Sequence, residues 1–429
     1  MCRYFRFFSL CLLATLLIIK ARAQKDGEPT EVGPQVLTMD NALSLALENQ
    51  VNTAAGRAGL RAAEARLEAT GLFPSPELRL THDERWTGET GKEYAIRISP
   101  PNPGVIKALK TEGELGINLA KVQLDGQRWT TVIDTRIFFY EALHAQKLVQ
   151  HTEKKSEVVA KKKALYEMLL ANGQATLPTV LEVRLEFLEI ARQLESVMQT
   201  KKNGMNRLLA RTGLPTNSKP TLGGGFESPL PMISELQAET LLKKYSDRNP
   251  MVSSMKLQAE MAETRTDQVV ARNRLWINFI QAGYSETSNW WEEEDWRFRA
   301  GIHIPLFDLK GKAVDAAKAE QEALAAQVEV ARQLVRVELV EALGNLQDTA
   351  QTLKEAKDLS DGIEKEVERT LKEDASAPEP TLPPQTRFRL MEGLLRISEA
   401  KLSNEYRYQD AVLQLEAVLG ERLGELLSN

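Results

Sequence analysis

Two long stretches of the chain, Pro103 to Pro178 and Pro305 to Pro378, contain no internal proline and carry apolar residues at three- and four-residue spacing. Leu115, Leu119, Val122, Val132, Ile133 and Phe138 mark the first; Leu324, Val328, Ala331, Val335, Leu339, Ala342 and Leu346 mark the second. That period is helical and predicts long helices over 104–172 and 308–373. At 1.5 Å per residue each reaches about 100 Å. Rods of that length need coiled-coil partners, and Ala316, Ala317, Ala319, Ala323, Ala325 and Ala326 allow close approach. A period of two appears elsewhere. Trp296, Phe298, Ala300, Ile302 and Ile304 alternate with Arg297, Arg299, Gly301 and His303, the pattern of a strand with one apolar and one polar face. Its expected partner is Trp276 to Ser285, with Ile280, Ala282 and Tyr284 on the apolar side. Earlier, Leu78 to Trp86 and Glu93 to Ser99 flank a Gly-rich turn; Tyr94, Ile96 and Ile98 face one way, Ala95, Arg97 and Ser99 the other.

These elements recur as two copies of one unit about 200 residues apart. Leu37 to Ala42 opens a helical pattern that passes Glu48-Asn49-Gln50 and runs to Leu72; Ile233 to Ala238 opens a second that passes Arg248-Asn249-Pro250 and runs to Leu275. Ser234 with Gln237, and more weakly Thr38 with Asn41, read as helix-capping pairs. The first repeat spans 24–213, with a β-hairpin at 77–99, the long helix at 104–172 and a return helix at 178–212. A Pro- and Gly-rich linker, 214–232, separates it from the second repeat, 233–420. That repeat has a hairpin at 276–304, the long helix at 308–373, a Pro-rich tip at 374–384 and a return helix at 385–419; 421–429 is a tail. A return helix placed end to end with the opening helix would match a long one, giving two continuous and two composite rods.

The hairpins admit two readings, a small sheet packed on helices or membrane strands. Trp86, Trp276, Trp290, Trp291 and Trp296 lie on the hairpins or at their rims, which is five of the six tryptophans. Aromatic girdles at the ends of alternating strands favour the membrane. Four strands with open edges cannot stand in lipid, so several copies would have to complete a barrel, and three would supply twelve strands.

Arg3 and Arg6 precede an apolar run from Phe7 to Ile19 that ends at Ala21-Arg22-Ala23, the layout of a secretory signal peptide over 1–23. Cleavage would remove Cys2 and Cys11, the only cysteines, together with four basic residues and no acidic one, taking the formal charge from −5 to −9. No basic patch points to nucleic acid. The four histidines are His82 and His303, expected to face inward on strands, and His144 and His151, one heptad apart on a long helix. They lack the companions of a metal site. There is no phosphate-binding loop, dinucleotide fingerprint or nucleophile elbow, so we expect no catalytic residue, cofactor or metal.

The order of these features resembles the TolC-like outer-membrane efflux family, including its heavy-metal and drug-efflux branches. Ile304-Pro305-Leu306-Phe307-Asp308-Leu309-Lys310-Gly311-Lys312 is similar to that family's strand-to-helix junction, with a degraded counterpart at Ser99 to Gly104. Gly173-Gln174-Ala175-Thr176, leading into Thr179 and Val180 to Val183, is similar to its entry into the return helix. The resemblance implies a mainly α fold with a small β part. Four membrane strands per chain would join in a homotrimer into a twelve-stranded barrel in outer-membrane lipid, above a twelve-helix tunnel in the periplasm of a Gram-negative-type bacterium. It also implies a periplasmic adaptor protein that links the tunnel to an inner-membrane pump. A pump of the resistance-nodulation-division (RND) type would make the chain an efflux duct for small molecules or metal ions; an ABC exporter would make it the duct of a type I protein-secretion system.

The tips would then meet the adaptor through Gly173, Thr176, Thr179, Pro378, Pro380 and Pro383, with Glu182, Arg387 and Arg389 near the gate. Where the family has a Gly-x-x-Thr turn at the second break, this chain has Glu373 to Pro384, and where an acidic ring is common it has Arg387, Phe388 and Arg389. A surface insertion and an altered gate both account for that departure.

Overall fold

The computed structural model describes residues 36–84, 90–227, 240–241, 243–245, 248–287, 295–304, 311–376 and 382–423. The signal segment, the opening of the second repeat, Trp86, Trp290, Trp291, Pro378, Pro380 and most of the junction after Ile304 lie outside them. Both proline-free stretches are single helices, α3 (Pro103–Ala171) and α6 (Lys312–Ser376). The return helices are α4 (Leu177–Thr212) and α7 (Pro384–Leu419), each ended by a glycine in the left-handed conformation, Gly213 and Gly420. Helix α6 runs past 373, because nothing before Pro378 forbids it, and Pro384 opens α7 at a first-turn position where a missing N–H costs nothing. The tip is accordingly shorter than 374–384.

The first opening segment is not one helix. It divides into α1 (Met39–Glu48) and α2 (Ala54–Ala69), joined by a 3₁₀ turn at Gln50–Thr53; its counterpart in the second repeat is α5 (Pro250–Arg272). Asparagines cause the breaks. Asn249 accepts from the Met251 N–H at 2.8 Å, capping α5, while its amide donates to the Val418 carbonyl at 2.8 Å, in the last turn of α7. Asn49 does the same in the first repeat, accepting from Val51 and donating to Arg211 at the end of α4. Asn102 repeats the device at the start of α3, accepting from Gly104 and donating to Ala271 at the end of α5, each at 2.9 Å. One side chain thus satisfies an orphan donor of one helix and an orphan acceptor of another. The splices join α4 to α2 and α7 to α5 end to end, which gives two composite rods beside the continuous α3 and α6.

Helix contacts order the rods α4–α3–α7–α6 toward the tips and α2–α3–α5–α6 toward the sheet. Buried apolar clusters sit at the waist, where the composite rods are spliced: Phe139, Leu143, Leu208 and Leu209 in one, Val335, Leu339, Leu415 and Leu419 in the other. There a short parallel pair, β1 (Val36–Leu37) with β4 (Thr221–Leu222), ties the connector to the amino-terminal end. Arg136 and Glu416 form a buried ion pair across the two repeats, and the Glu416 carboxylate also accepts from the Leu423 N–H. Burial raises the Glu416 pKa, with Arg136 opposing it.

Candidate functional site

Beyond the rods the chain forms one antiparallel sheet of four strands, β2 (Glu77–Glu84), β3 (Thr90–Ile98), β5 (Trp276–Thr287) and β6 (Asp295–His303), in that order. Its faces are inverted relative to a water-soluble sheet. Leu78, Leu80, Tyr94, Ile96, Ile280, Phe298 and Ile302 are exposed, Phe298 at 77% and Leu78 at 69%, whereas Gln281 and Ser285 on the other face are only 5% and 7% exposed. The polar face carries its own pairings. Glu93 bonds Arg299 at 3.1 Å and accepts from Gln281, and the Arg97 guanidinium lies 3.5 Å from the centre of the Phe279 ring. An exposed apolar patch of this extent needs a partner or a lipid phase.

The expected inward side of His82 and the expected rim placement of Trp276 both change. A register shift between Ile277 and Phe279 places Trp276 opposite His303, on the polar face, where its indole N–H donates to the Pro100 carbonyl at 2.8 Å. Trp276 therefore does not share a face with Trp296, which stands 68% exposed on the apolar side, edge-on to Tyr284. His82 pairs with Lys92, in phase with Leu78 and Leu80, so it lies on the apolar face at its outer margin rather than facing inward; His303 lies on the polar face.

The large exposed apolar residues of the long rods concentrate on the two outermost ones. Leu177, Leu181, Leu185, Leu188 and Met198 line α4, and Val330, Leu334, Val337, Val340, Leu359 and Ile363 line α6. The sheet has its unpaired edges on the same two sides, β2 and β6.

At the first tip Gly173 adopts φ 70°, and the Thr176 and Thr179 hydroxyls bond each other at 2.8 Å. Glu182 is exposed one turn further along. At the second tip the structure brings together residues that the sequence left apart. Asp374, buried at the end of α6, accepts from the Leu382 N–H at 2.8 Å and pairs with Arg387. Arg387 is thereby held at the tip by Asp374; Arg389 is exposed, and Pro383 stands at the start of α7 without a side-chain bond. Between the tips, Lys162 bridges Glu186 and Glu392, which overcomes the effect of burial and raises its pKa. His144 stacks on Tyr406 at 4.4 Å, and burial, then Lys147, lowers its pKa. Among the described residues no group of three or more metal-ligating side chains occurs, and no helix is long and apolar enough to cross a membrane.

No protein-family model and no curated relative matches the chain. Solved structures do. CusC, described as forming a transmembrane channel, superimposes with a TM-score of 0.70 at 15% identity, over 92% of this chain and 96% of that one. The CmeC outer membrane channel of Campylobacter jejuni matches with a TM-score of 0.70 at 13% identity, over 91% and 88%. The open-state MtrE outer membrane channel of Neisseria gonorrhoeae matches with a TM-score of 0.67 at 13% identity, over 93% and 95%.

Proposed function

This chain has the fold of those outer-membrane channels along nearly its whole length, and we propose that it works as one: a homotrimeric, passive duct from the periplasm through the outer membrane, without catalytic activity. The observation that carries the proposal is the inverted sheet, apolar outside and polar inside, with both edges open. In lipid every backbone donor and acceptor needs a protein partner, so β2 of one copy must meet β6 of the next. The rods support the same closure. The exposed apolar stripe of α4 on one copy faces that of α6 on its neighbour when the copies are arranged head to tail, an interface that closes into a ring. Three copies supply twelve strands and twelve rods.

We further propose that the tips at Gly173–Thr179 and Pro383–Arg389 meet a periplasmic adaptor, and that the duct serves an efflux pump of the inner membrane. Trp296, exposed on the apolar face, would sit at the lipid boundary. The test is fractionation of cells expressing the full chain. Detergent extraction from outer membranes as a species of three copies supports the duct; recovery as a soluble periplasmic monomer contradicts it. A neighbouring gene for a resistance-nodulation-division pump supports efflux, and one for an ABC exporter assigns protein secretion instead.

A further inference from the structure

The polar face of the sheet is organised in three complete rows across the four strands. The outer row is Thr81, Glu93, Ser285 and Asp295; the middle row is Arg79, Ala95, Gly283 and Arg297; the inner row is Glu77, Arg97, Gln281 and Arg299. The middle row contains no acid. Its two central positions are small, a Cβ on Gly283 lying 2.9 Å from that of Ala95, and the Glu93 carboxylate reaches over them on its way to Arg299, its Oε1 3.1 Å from the same point. The inner row has two arginines against one glutamate.

Ion pairing leaves two of these four arginines over. Glu77 pairs with Arg79 at 3.2 Å, and Glu93 reaches inward from the outer row to Arg299 at 3.1 Å. Arg297 has no acidic partner among the described residues, and neither has Arg97. The Arg97 guanidinium carbon lies 3.5 Å from the centre of the Phe279 ring, and its Nε is buried without a hydrogen bond. Two uncompensated arginines on neighbouring rows, one of them pre-oriented by a ring, are poor for stability and well suited to an anion. A guanidinium whose carbon sits over a ring can still offer its terminal N–H groups to carboxylate, sulfonate or phosphate oxygens.

From this pattern we infer that the barrel lumen prefers anionic solutes, and that Arg97 and Arg297 set the preference. The inference rests on the proposed duct, because only ring closure turns one sheet face into a lumen. A trimer would carry six such arginines as a belt, with three Asp295 carboxylates one row outward offsetting half of that charge. A charged, low-dielectric constriction concentrates counter-ions and repels co-ions. The cargo class is therefore small organic or inorganic anions, whose charge the arginines offset as they pass.

Two measurements on the full-length protein test this. In planar bilayers of neutral lipid under a potassium chloride gradient, the reversal potential should have the sign of chloride selectivity. Arg97→Gln/Arg297→Gln should move it toward the potassium potential, and Lys92→Gln, on the opposite face, should leave it in place. The second measurement needs no open tip. With Cys2 and Cys11 replaced by serine, His303→Cys places one thiol on the periplasmic side of the belt. Added from outside, an anionic sulfonate-bearing thiol reagent should label it roughly tenfold faster than a cationic ammonium one at low salt, and the double arginine variant should bring the ratio close to one. A cation-selective native protein, or a double variant with unchanged potential and labelling ratio, overturns the inference. Absence of both conductance and labelling would instead contradict the duct, and the inference with it.

Discussion

Replacing Asn249 by alanine should cost far more than replacing Asn49, although the two residues occupy the same place in the two repeats. Asn249 makes both of its bonds at 2.8 Å and is 8% exposed, so its loss leaves the Met251 N–H and the part-buried Val418 carbonyl without these partners. An N-cap contributes about 1 kcal/mol, and an orphaned part-buried carbonyl adds about 1–2 kcal/mol. The sum is about 2–3 kcal/mol. Asn49 makes longer bonds, 3.3 and 3.4 Å, and the Arg211 carbonyl it serves also receives the Asn52 amide at 3.0 Å. Asn49→Ala should therefore cost about 1 kcal/mol or less. Peptide-resolved hydrogen exchange on the purified protein reads both. The first turn of α5 should exchange roughly 30- to 150-fold faster in Asn249→Ala, and the 3₁₀ turn at Gln50–Thr53 no more than about fivefold faster in Asn49→Ala. Asn249→Asp keeps the cap but points a carboxylate at the negative end of α7, and it should fall between native and alanine. Equal effects in the two repeats, or unchanged exchange in Asn249→Ala, would refute the splice as the element that holds the composite rods.

Arg136→Met leaves the Glu416 carboxylate buried with only the Leu423 N–H, and chemical denaturation should report a loss of about 3–5 kcal/mol; Glu227→Gln, at the half-exposed end of the same network, should cost less than about 1 kcal/mol. Burial and Lys147 hold the His144 pKa below its ordinary 6.5. The unfolded chain then binds the proton more readily, and stability that is full above pH 6.5 falls as the pH drops below it. The melting temperature of the native protein should decline between pH 6.5 and 5, and His144→Phe, which keeps the stack on Tyr406, should decline less. Asp374→Ala should release the Leu382 N–H and Arg387, giving about tenfold faster protease nicking between 374 and 387 with the oligomer intact.

The rods and strands were legible because they rest on local periodicity, and Trp296, Phe298 and Ile302 stand on the face their alternation assigns. Alternation fails where the register slips. The irregularity at Ile277 and Phe279 turns Trp276 to the polar face, and only the pairing of His82 with Lys92 reveals which side His82 takes. Buried charge pairs were not legible, since Arg136 and Glu416 are 280 residues apart and each alone looks like a solvated helix position. The tip shows both limits. Proline ended the helix as expected, but Asp374 reads as one more acid in an acidic run until the chain folds it onto Arg387. The asparagines recur visibly at Asn49 and Asn249, yet their role depends on the end of a helix about 170 residues away.

The central claim is that unpaired strand edges of successive copies meet and close. A chain bearing Leu80→Cys on β2 and Phe298→Cys on β6, expressed with Cys2 and Cys11 replaced by serine and treated in isolated outer membranes with a short bifunctional thiol reagent, tests it directly. Closure predicts covalent products of two and three copies and nothing larger, with each single-cysteine chain forming none of the trimer. Products confined to the monomer, or a ladder that continues past three, would contradict it.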